Sequence, residues 1–242
     1  MAQTLNSVVF GWYPYLCVTV FLFGSLFRFD REQYTWRTGS SQLLRRRQLM
    51  WGSNLFHVGI LVIFVGHFVG LLTPIWMFDM LGISHGAKQM LAIVAGGVAG
   101  LMCLVGITLL THRRLFDPRI RANSSFGDTA ILLLLFAQLL LGLATTPVSF
   151  GHLDGHEMVK FMAWAQGIVS LQPGAAANVL DVHPIFKAHL ALGMTLFLVF
   201  PFTRLVHMWS APIWYLGRRG YQVVRSRSGT IAQRGQPAER MP

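Results

Sequence analysis

Apolar residues fall into five stretches, each long enough to cross a lipid bilayer. They run from about residue 10 to 27, 51 to 73, 89 to 111, 129 to 146 and 185 to 209. A helix rises about 1.5 Å per residue and the hydrocarbon core is about 30 Å thick, so roughly 20 apolar residues suffice to span it. The pattern predicts an all-α integral membrane bundle of five transmembrane helices within residues 1–225.

Three other segments complete the predicted organisation. The sequence HEMVKFMAWAQGIVSL at residues 156–171 is amphipathic but too short and too polar to span, which predicts a helix in the outer membrane interface. The N-terminus has neither a basic region nor a clear cleavage site, so we expect the first span to be retained. Residues 226–242 are rich in Gly, Arg, Gln and Pro and predict a flexible basic cytoplasmic tail.

Charge is scarce and unevenly placed. Only 12% of the 242 residues are charged, yet the net charge is +11. Arginines concentrate in residues 28–47, in residues 112–121 and in the tail after the fifth span, whereas the opposite side carries only Lys88, Lys160 and Lys187. Positive residues stay in the cytoplasm, which predicts an outside N-terminus and a cytoplasmic C-terminus. The charge therefore reflects topology, and we expect no nucleic-acid partner.

Four of the nine histidines lie inside spans, where an ionisable side chain is costly and indicates function. His57 and His67 are in the second span, and His189 and His207 are in the fifth. Because these spans run in opposite directions, His57 pairs in depth with His207 near the cytoplasmic side and His67 with His189 near the outer side. The helical rises differ, about 15 Å against about 27 Å, so tilt and a kink at Pro201 must absorb the mismatch.

Paired imidazoles in a membrane can hold one haem iron from opposite faces, which favours electron transfer over catalysis at the iron. No CxxCH motif occurs, so the haems would be two b-type groups, one in each half of the membrane. Zinc or copper would need three or four converging ligands. The remaining alternative is a set of polar contacts between helices, or a proton relay.

The other notable residues have ordinary interpretations. Five histidines lie in loops or at span ends and are expected to be solvated or interfacial: His85, His112, His152, His156 and His183. The two cysteines, Cys17 and Cys103, lie in apolar stretches and suggest packing rather than a disulfide. Glycines in the third span favour close helix approach over room for a flat cofactor.

Several longer motifs carry a family likeness over about residues 8–225. They are YPY at 13–15, QYTWR at 33–37, SNLFHVGILVIFVGHF at 53–68, KQM and AGG near 88–97, RRLFDPR at 113–119, and HLALGMTLFLVFPFTRLVHMWSAP at 189–212. In these motifs the chain resembles the gamma subunit of membrane-bound respiratory nitrate reductase, a dihaem cytochrome b of the bacterial cytoplasmic (inner) membrane.

The resemblance implies specific roles. His57 and His207 would be the axial ligands of the proximal haem b on the cytoplasmic side, and His67 and His189 those of the distal haem b on the outer side. Quinol would be oxidised beside the distal haem, where Lys88 matches a lysine associated with the quinol site and Gly66 lies next to His67. The partners implied are an iron–sulfur beta subunit and a molybdenum-containing alpha subunit, which reduces nitrate on the cytoplasmic face.

Three alternatives remain open at this point. One is a similar cytochrome b that serves another reductase, such as a sulfur-cycle complex. The second is a membrane transporter or proton channel with a histidine relay, although no second half of the chain repeats the first. The third is a passive membrane anchor, which has no need of four buried histidines. The arginine-rich loops would serve topology first, then partner docking and pairing with haem propionates.

Overall fold

The computed structural model describes residues 2–32, 34, 41 and 43–210. The contacts group Met1–Trp209 into one compact unit and Ser210–Pro242 into another, of which Ser210 alone is described. The basic tail predicted for residues 226–242 lies outside the described residues, as does most of the motif at 33–37.

Within the described residues the chain forms helices and no strands, as predicted. The helices are α1 (Ala2–Ser7), α2 (Tyr13–Glu32), α3 (Arg46–Leu72), α4 (Ile75–Met80), α5 (His85–Phe116), α6 (Pro118–Ala122), α7 (Phe126–Phe150), α8 (His156–Val169) and α9 (Pro184–Val199). A π-helical turn at Val8–Trp12 joins α1 to α2, and 3₁₀ segments cover Ala175–Val179, Phe200–Phe202 and Arg204–Ser210.

Five of these helices are long and apolar enough to cross a membrane, which confirms the predicted number of spans and makes the chain a multi-pass membrane protein. They cover Gln3–Glu32, Arg46–Leu72, His85–Phe116, Phe126–Phe150 and Pro184–Phe202. The first four extend beyond the apolar stretches, and polar residues cap the start of the third and the fourth. Ser84 caps α5 by accepting a hydrogen bond from the Ala87 N–H, and Ser125 and Asp128 form a capping box at the start of α7.

The fifth span, predicted at about residues 185–209 with a kink at Pro201, is interrupted by a complete break of the helix. The α-helix ends at Val199, a short 3₁₀ turn contains Pro201, and Thr203 is extended with φ −120° and ψ 176°. Proline cannot donate the hydrogen bond that would continue the helix. His207 therefore lies on the 3₁₀ segment Arg204–Ser210, outside the α-helix that carries His189.

The spans form an arc in which neighbours in space are α3, α5, α7, α9 and α2, in that order. Close contact between α3 and α5 depends on glycine. A Cβ added at Gly106 would lie 2.8 Å from the Gly52 carbonyl oxygen, and one at Gly59 would lie 2.7 Å from the Ala99 carbonyl oxygen. At Gly96 and Gly97 no atom lies within 4 Å of an added Cβ, so those two glycines do not mark a close approach.

The amphipathic helix predicted in the outer loop is present as α8, and its apolar face packs against protein. Met162 and Trp164 are buried, and the Trp164 indole N–H donates to the Phe10 carbonyl at 2.8 Å. Trp164 is buried because residues 175–186 fold over α8 and form a hydrophobic core with it and the first span.

Candidate functional site

The histidines of the second and fifth spans meet in two separate pairs across the bundle. The ring centroids of His57 and His207 are 6.3 Å apart, and those of His67 and His189 are 6.1 Å apart. These are the pairs expected from antiparallel spans. His57 and His67 lie ten residues apart on α3, a rise of about 15 Å, so the pairs occupy different depths.

The spacing in each pair fits a single metal ion between two imidazoles. A metal–imidazole bond is about 2.0 Å, and a ring nitrogen lies about 1.1 Å from its centroid, so linear ligation places the centroids roughly 6.2 Å apart. Both measured distances agree with this value. Among the residues the structure describes, no group of three or more His, Cys, Asp or Glu side chains could hold a metal ion.

Hydrogen bonds orient three of the four rings for ligation through Nε2. Nδ1 lies 2.7 Å from the Ser53 carbonyl oxygen in His57, 2.9 Å from that of Ile63 in His67, and 2.5 Å from that of Arg204 in His207. A carbonyl only accepts, so Nδ1 carries the proton and the neutral ring keeps its lone pair on Nε2. Metal-binding histidines commonly use their other nitrogen in this way.

His189 is held differently, by contacts with two residues of α7. Gln138 donates from Nε2 to the His189 carbonyl oxygen at 3.1 Å. Gly142, one turn further along α7, lies so close that an added Cβ would be 3.0 Å from Cε1 of the His189 ring. We did not predict either residue, although a lone glutamine in an otherwise Leu-rich span was a usable signal.

Lys88 is not the exposed loop lysine that its position suggests. It lies in the first turn of α5 and is only 6% exposed. Its Nζ lies 2.9 Å from Sδ of Met162 and 4.1 Å from the centroid of the Phe78 ring. A thioether is a weak acceptor, so Lys88 keeps donors for another oxygen. The other quinol-site candidates are Gly66 and His67, and no atom lies within 4 Å of a Cβ added at Gly66.

The loop histidines have local roles in the structure. Nε2 of His85 lies 3.7 Å from Oδ1 of Asp79, His112 contacts Gln48, and Nδ1 of His183 accepts from the Ile185 N–H at the start of α9. Cys17 and Cys103 are both buried and free, as expected for packing residues.

Ion pairs cluster at the end of the bundle that holds His207. Arg45 and Asp117 are 2.6 Å apart, and Asp128 lies between Arg114 and Arg204 at 3.7 and 3.6 Å. The pKa of the Asp117 carboxyl is below its usual range, first because the Ile120 N–H donates to it and then because of Arg45, while partial burial acts in the opposite direction.

Comparison with known proteins agrees with these features. The family profile described as "Nitrate reductase gamma subunit" matches residues 6–227. The respiratory nitrate reductase 1 gamma chain of Escherichia coli is 52% identical over 225 residues, which cover 93% of this chain and 99% of that protein. The nitrate reductase gamma chain of Bacillus subtilis is 39% identical over 224 residues, covering 92% and 99%.

A more distant relative is named for a different complex. The Hdr-like menaquinol oxidoreductase cytochrome b-like subunit of Archaeoglobus fulgidus is 28% identical over 154 residues, which cover 63% of this chain and 45% of that protein. The family profile and the two gamma chains cover nearly the whole of the described bundle, including all four span histidines. This chain therefore belongs to the nitrate reductase gamma subunit family, the membrane components of an oxidoreductase complex.

Proposed function

We propose that the chain is the dihaem cytochrome b subunit of a quinol:nitrate oxidoreductase. The observation that carries this proposal is the pair of histidine pairs, each at the spacing that a bis-imidazole iron requires. His57 and His207 would hold the inner haem b, and His67 and His189 the outer one. When bound, each haem would supply a reversible one-electron centre.

The histidine geometry and the open sides of α3 support this assignment. Nδ1 of His57, His67 and His207 is already used by a backbone carbonyl, so these side chains are preorganised as ligands. His57 and His67 are exposed within the chain, which leaves their rings accessible to a large flat group. A proton relay needs histidines that pass protons from ring to ring, and two isolated pairs at different depths do not provide that path.

The orientation that we propose has the N-terminus outside and the C-terminus in the cytoplasm of a bacterial inner membrane. Arg45, Arg113 and Arg114 belong to the end of the bundle that holds His207, whereas Lys88 and Lys187 belong to the opposite end. Under the positive-inside rule the arginine-rich end is cytoplasmic. The inner pair then faces the iron–sulfur beta subunit and the molybdenum-containing alpha subunit that we propose as partners.

Quinol oxidation at the outer face is the second part of the proposal. Lys88 is placed to donate a hydrogen bond from its buried Nζ to a quinol oxygen, and the open side of Gly66 beside His67 leaves space for a ring. The archaeal relative is named a menaquinol oxidoreductase subunit, which supports quinol as the substrate class. Protons would be released outside, and each electron delivered inward would move against about 2.3 kcal/mol per 100 mV of membrane potential.

The test follows haem reduction by a soluble quinol analogue in membranes that contain the whole complex. In the wild type, quinol reduces the b haems and nitrate reoxidises them. His57→Ala removes an inner ligand, so we expect quinol to reduce the remaining haem while nitrate no longer reoxidises it at the wild-type rate. If that variant reoxidises with nitrate as fast as the wild type, the inner pair is not on the electron path and the proposed function is wrong.

A further inference from the structure

The helix of the fifth span breaks a few residues before His207, and the break leaves backbone carbonyl groups inside the bundle without their helical hydrogen bonds. The α-helix ends at Val199, and Thr203 is extended. Buried carbonyl groups that lose their helical partner must find another donor. His207 lies four residues beyond this point on a 3₁₀ segment, which has weaker hydrogen-bond geometry than an α-helix.

Arg28 on α2 supplies the missing donors. Its Nη1 donates to the carbonyl oxygens of Pro201 at 2.6 Å and Thr203 at 3.0 Å. Gly24, one turn earlier on α2, allows the approach, because an added Cβ there would lie 2.9 Å from Cγ of Pro201. The broken segment of the fifth span is thus held against the first span by hydrogen bonds and close packing.

Asp128 on α7 holds the other side of the break. Its Oδ1 lies 3.6 Å from Nε of Arg204, and its Oδ2 lies 3.7 Å from Nη1 of Arg114. The same Arg204 presents its carbonyl oxygen to Nδ1 of His207 at 2.5 Å. The side chain of Arg204 is therefore tied to α7 while its backbone fixes the ring of His207.

We infer that Arg28, Asp128 and Arg204 form a brace that positions His207 as an axial ligand of the inner haem. The inference rests on the proposed function. We call these three residues the His207 brace. They are positioning residues, because they act through the backbone of the broken segment and through the Nδ1 hydrogen bond. Neither the hydrogen bonds of Arg28 nor the ion pair of Asp128 involves the outer pair, where His189 lies on the regular helix α9 and packs against α7.

The brace has a consequence that can be measured without an activity assay. An iron with two firmly held imidazoles does not readily bind carbon monoxide when reduced. If the brace is loosened, His207 would hold its ring less firmly in the ligand position, and a haem bound there would become reactive to carbon monoxide. Loss of one hydrogen bond to a charged group corresponds to about a tenfold or larger change in the equilibrium between bound and released ligand.

The experiment measures carbon monoxide difference spectra of dithionite-reduced membranes that contain the whole complex. The absorption of the inner haem is first identified in His67→Ala, which retains the inner pair. We expect Arg28→Gln, which loses two charged hydrogen bonds, to raise the carbon monoxide-reactive share of the inner haem about tenfold. Asp128→Asn loses only ion pairs at 3.6 and 3.7 Å, so we expect a smaller rise of about twofold to fivefold. The outer haem stays unreactive, and Arg28→Lys and Asp128→Glu restore much of the wild-type behaviour.

The matched control is Asp117→Asn, which removes another carboxylate paired with arginine at the same end of the bundle but not tied to residues 201–207. Asparagine at 128 can still accept the capping bond of α7, so this variant is expected to fold, and Arg28→Gln provides an independent test. Unchanged reactivity in both brace variants overturns the inference. So does an equal rise at both haems, or an equal rise in Asp117→Asn. A wild type without haem overturns the proposed function itself.

Discussion

Replacing Gly142 with a larger residue should weaken the outer haem site and leave the inner one intact. A Cβ at position 142 would lie 3.0 Å from Cε1, 3.6 Å from Nδ1 and 3.7 Å from Nε2 of His189. Ordinary carbon contacts are about 3.5 to 4.0 Å. The ring must therefore move by roughly half an ångström to accept an alanine.

That displacement is large compared with the tolerance of a metal bond. Metal–ligand distances hold to about 0.2 Å, so a movement of half an ångström would strain a bond from His189 to iron or displace α7 from α9. Overpacking of this kind costs about 1–3 kcal/mol, and 1.4 kcal/mol is a factor of ten in affinity. We expect the outer site to bind haem about tenfold more weakly in Gly142→Ala, and not at all in Gly142→Leu.

The assay is haem titration into haem-depleted membranes, followed by reduced-minus-oxidised spectra. Gly97→Ala is the control, because no atom lies within 4 Å of an added Cβ at that position on α5. It should bind both haems as the wild type does. If Gly142→Leu also retains two haems with wild-type spectra, the ring of His189 is not held where a ligand must be, and the reasoning fails.

Three further outcomes follow from the structure. Lys88→Met should lower the rate of quinol oxidation more than tenfold, as expected for loss of a charged hydrogen bond, with haem content unchanged. Lys160→Gln, which loses only an ion pair with Glu157, should keep the wild-type rate. Equal rates in the two variants would remove Lys88 from the quinol site. Gly106→Ala brings a Cβ to 2.8 Å from the Gly52 carbonyl oxygen, so thermal unfolding in detergent should show a loss of about 1–3 kcal/mol, while Gly96→Ala, with open space, should show none. The folded-state pKa of Asp117 is lowered, so the stabilisation from its carboxylate is present above the unfolded pKa of about 3.9 and is lost as pH falls through the folded pKa. Asp117→Asn should therefore be less stable than the wild type at pH 7, and the difference in stability should shrink in acid. A difference in stability that does not depend on pH would contradict this.

The features that the sequence could predict depend on counting. Hydropathy along the chain predicts five spans, and the alternation of direction then places His57 opposite His207 and His67 opposite His189. In the structure the ring centroids of the two pairs lie 6.3 and 6.1 Å apart. Neither step requires knowledge of how any two helices pack.

The features that were missed depend on contacts between distant residues. Arg28 reads as one of many topogenic arginines, yet it donates to carbonyls 173 and 175 positions away. Pro201 predicts a kink but not an extended residue followed by a second 3₁₀ segment. Gly142 has no local pattern that marks it as the place where a ring fits. Side-chain fit of this kind becomes visible only when the helices are assembled.

The outer loop shows a second limit. An amphipathic helix has the same sequence pattern whether its apolar face meets lipid or protein. The pattern of α8 predicted an interfacial helix, but the residues that follow it fold back and bury Trp164. Met162, on the same helix, contacts Lys88, and the start of α5 therefore presents a buried donor rather than an exposed lysine.

The measurement that tests the central claim most directly is the number of b haems per chain. Pyridine haemochrome on the purified protein should give two b haems in the wild type, with His57→Ala retaining the outer haem and His67→Ala retaining the inner one. A correctly inserted wild type that contains no haem would contradict the cytochrome assignment and leave the histidine pairs as polar contacts between helices.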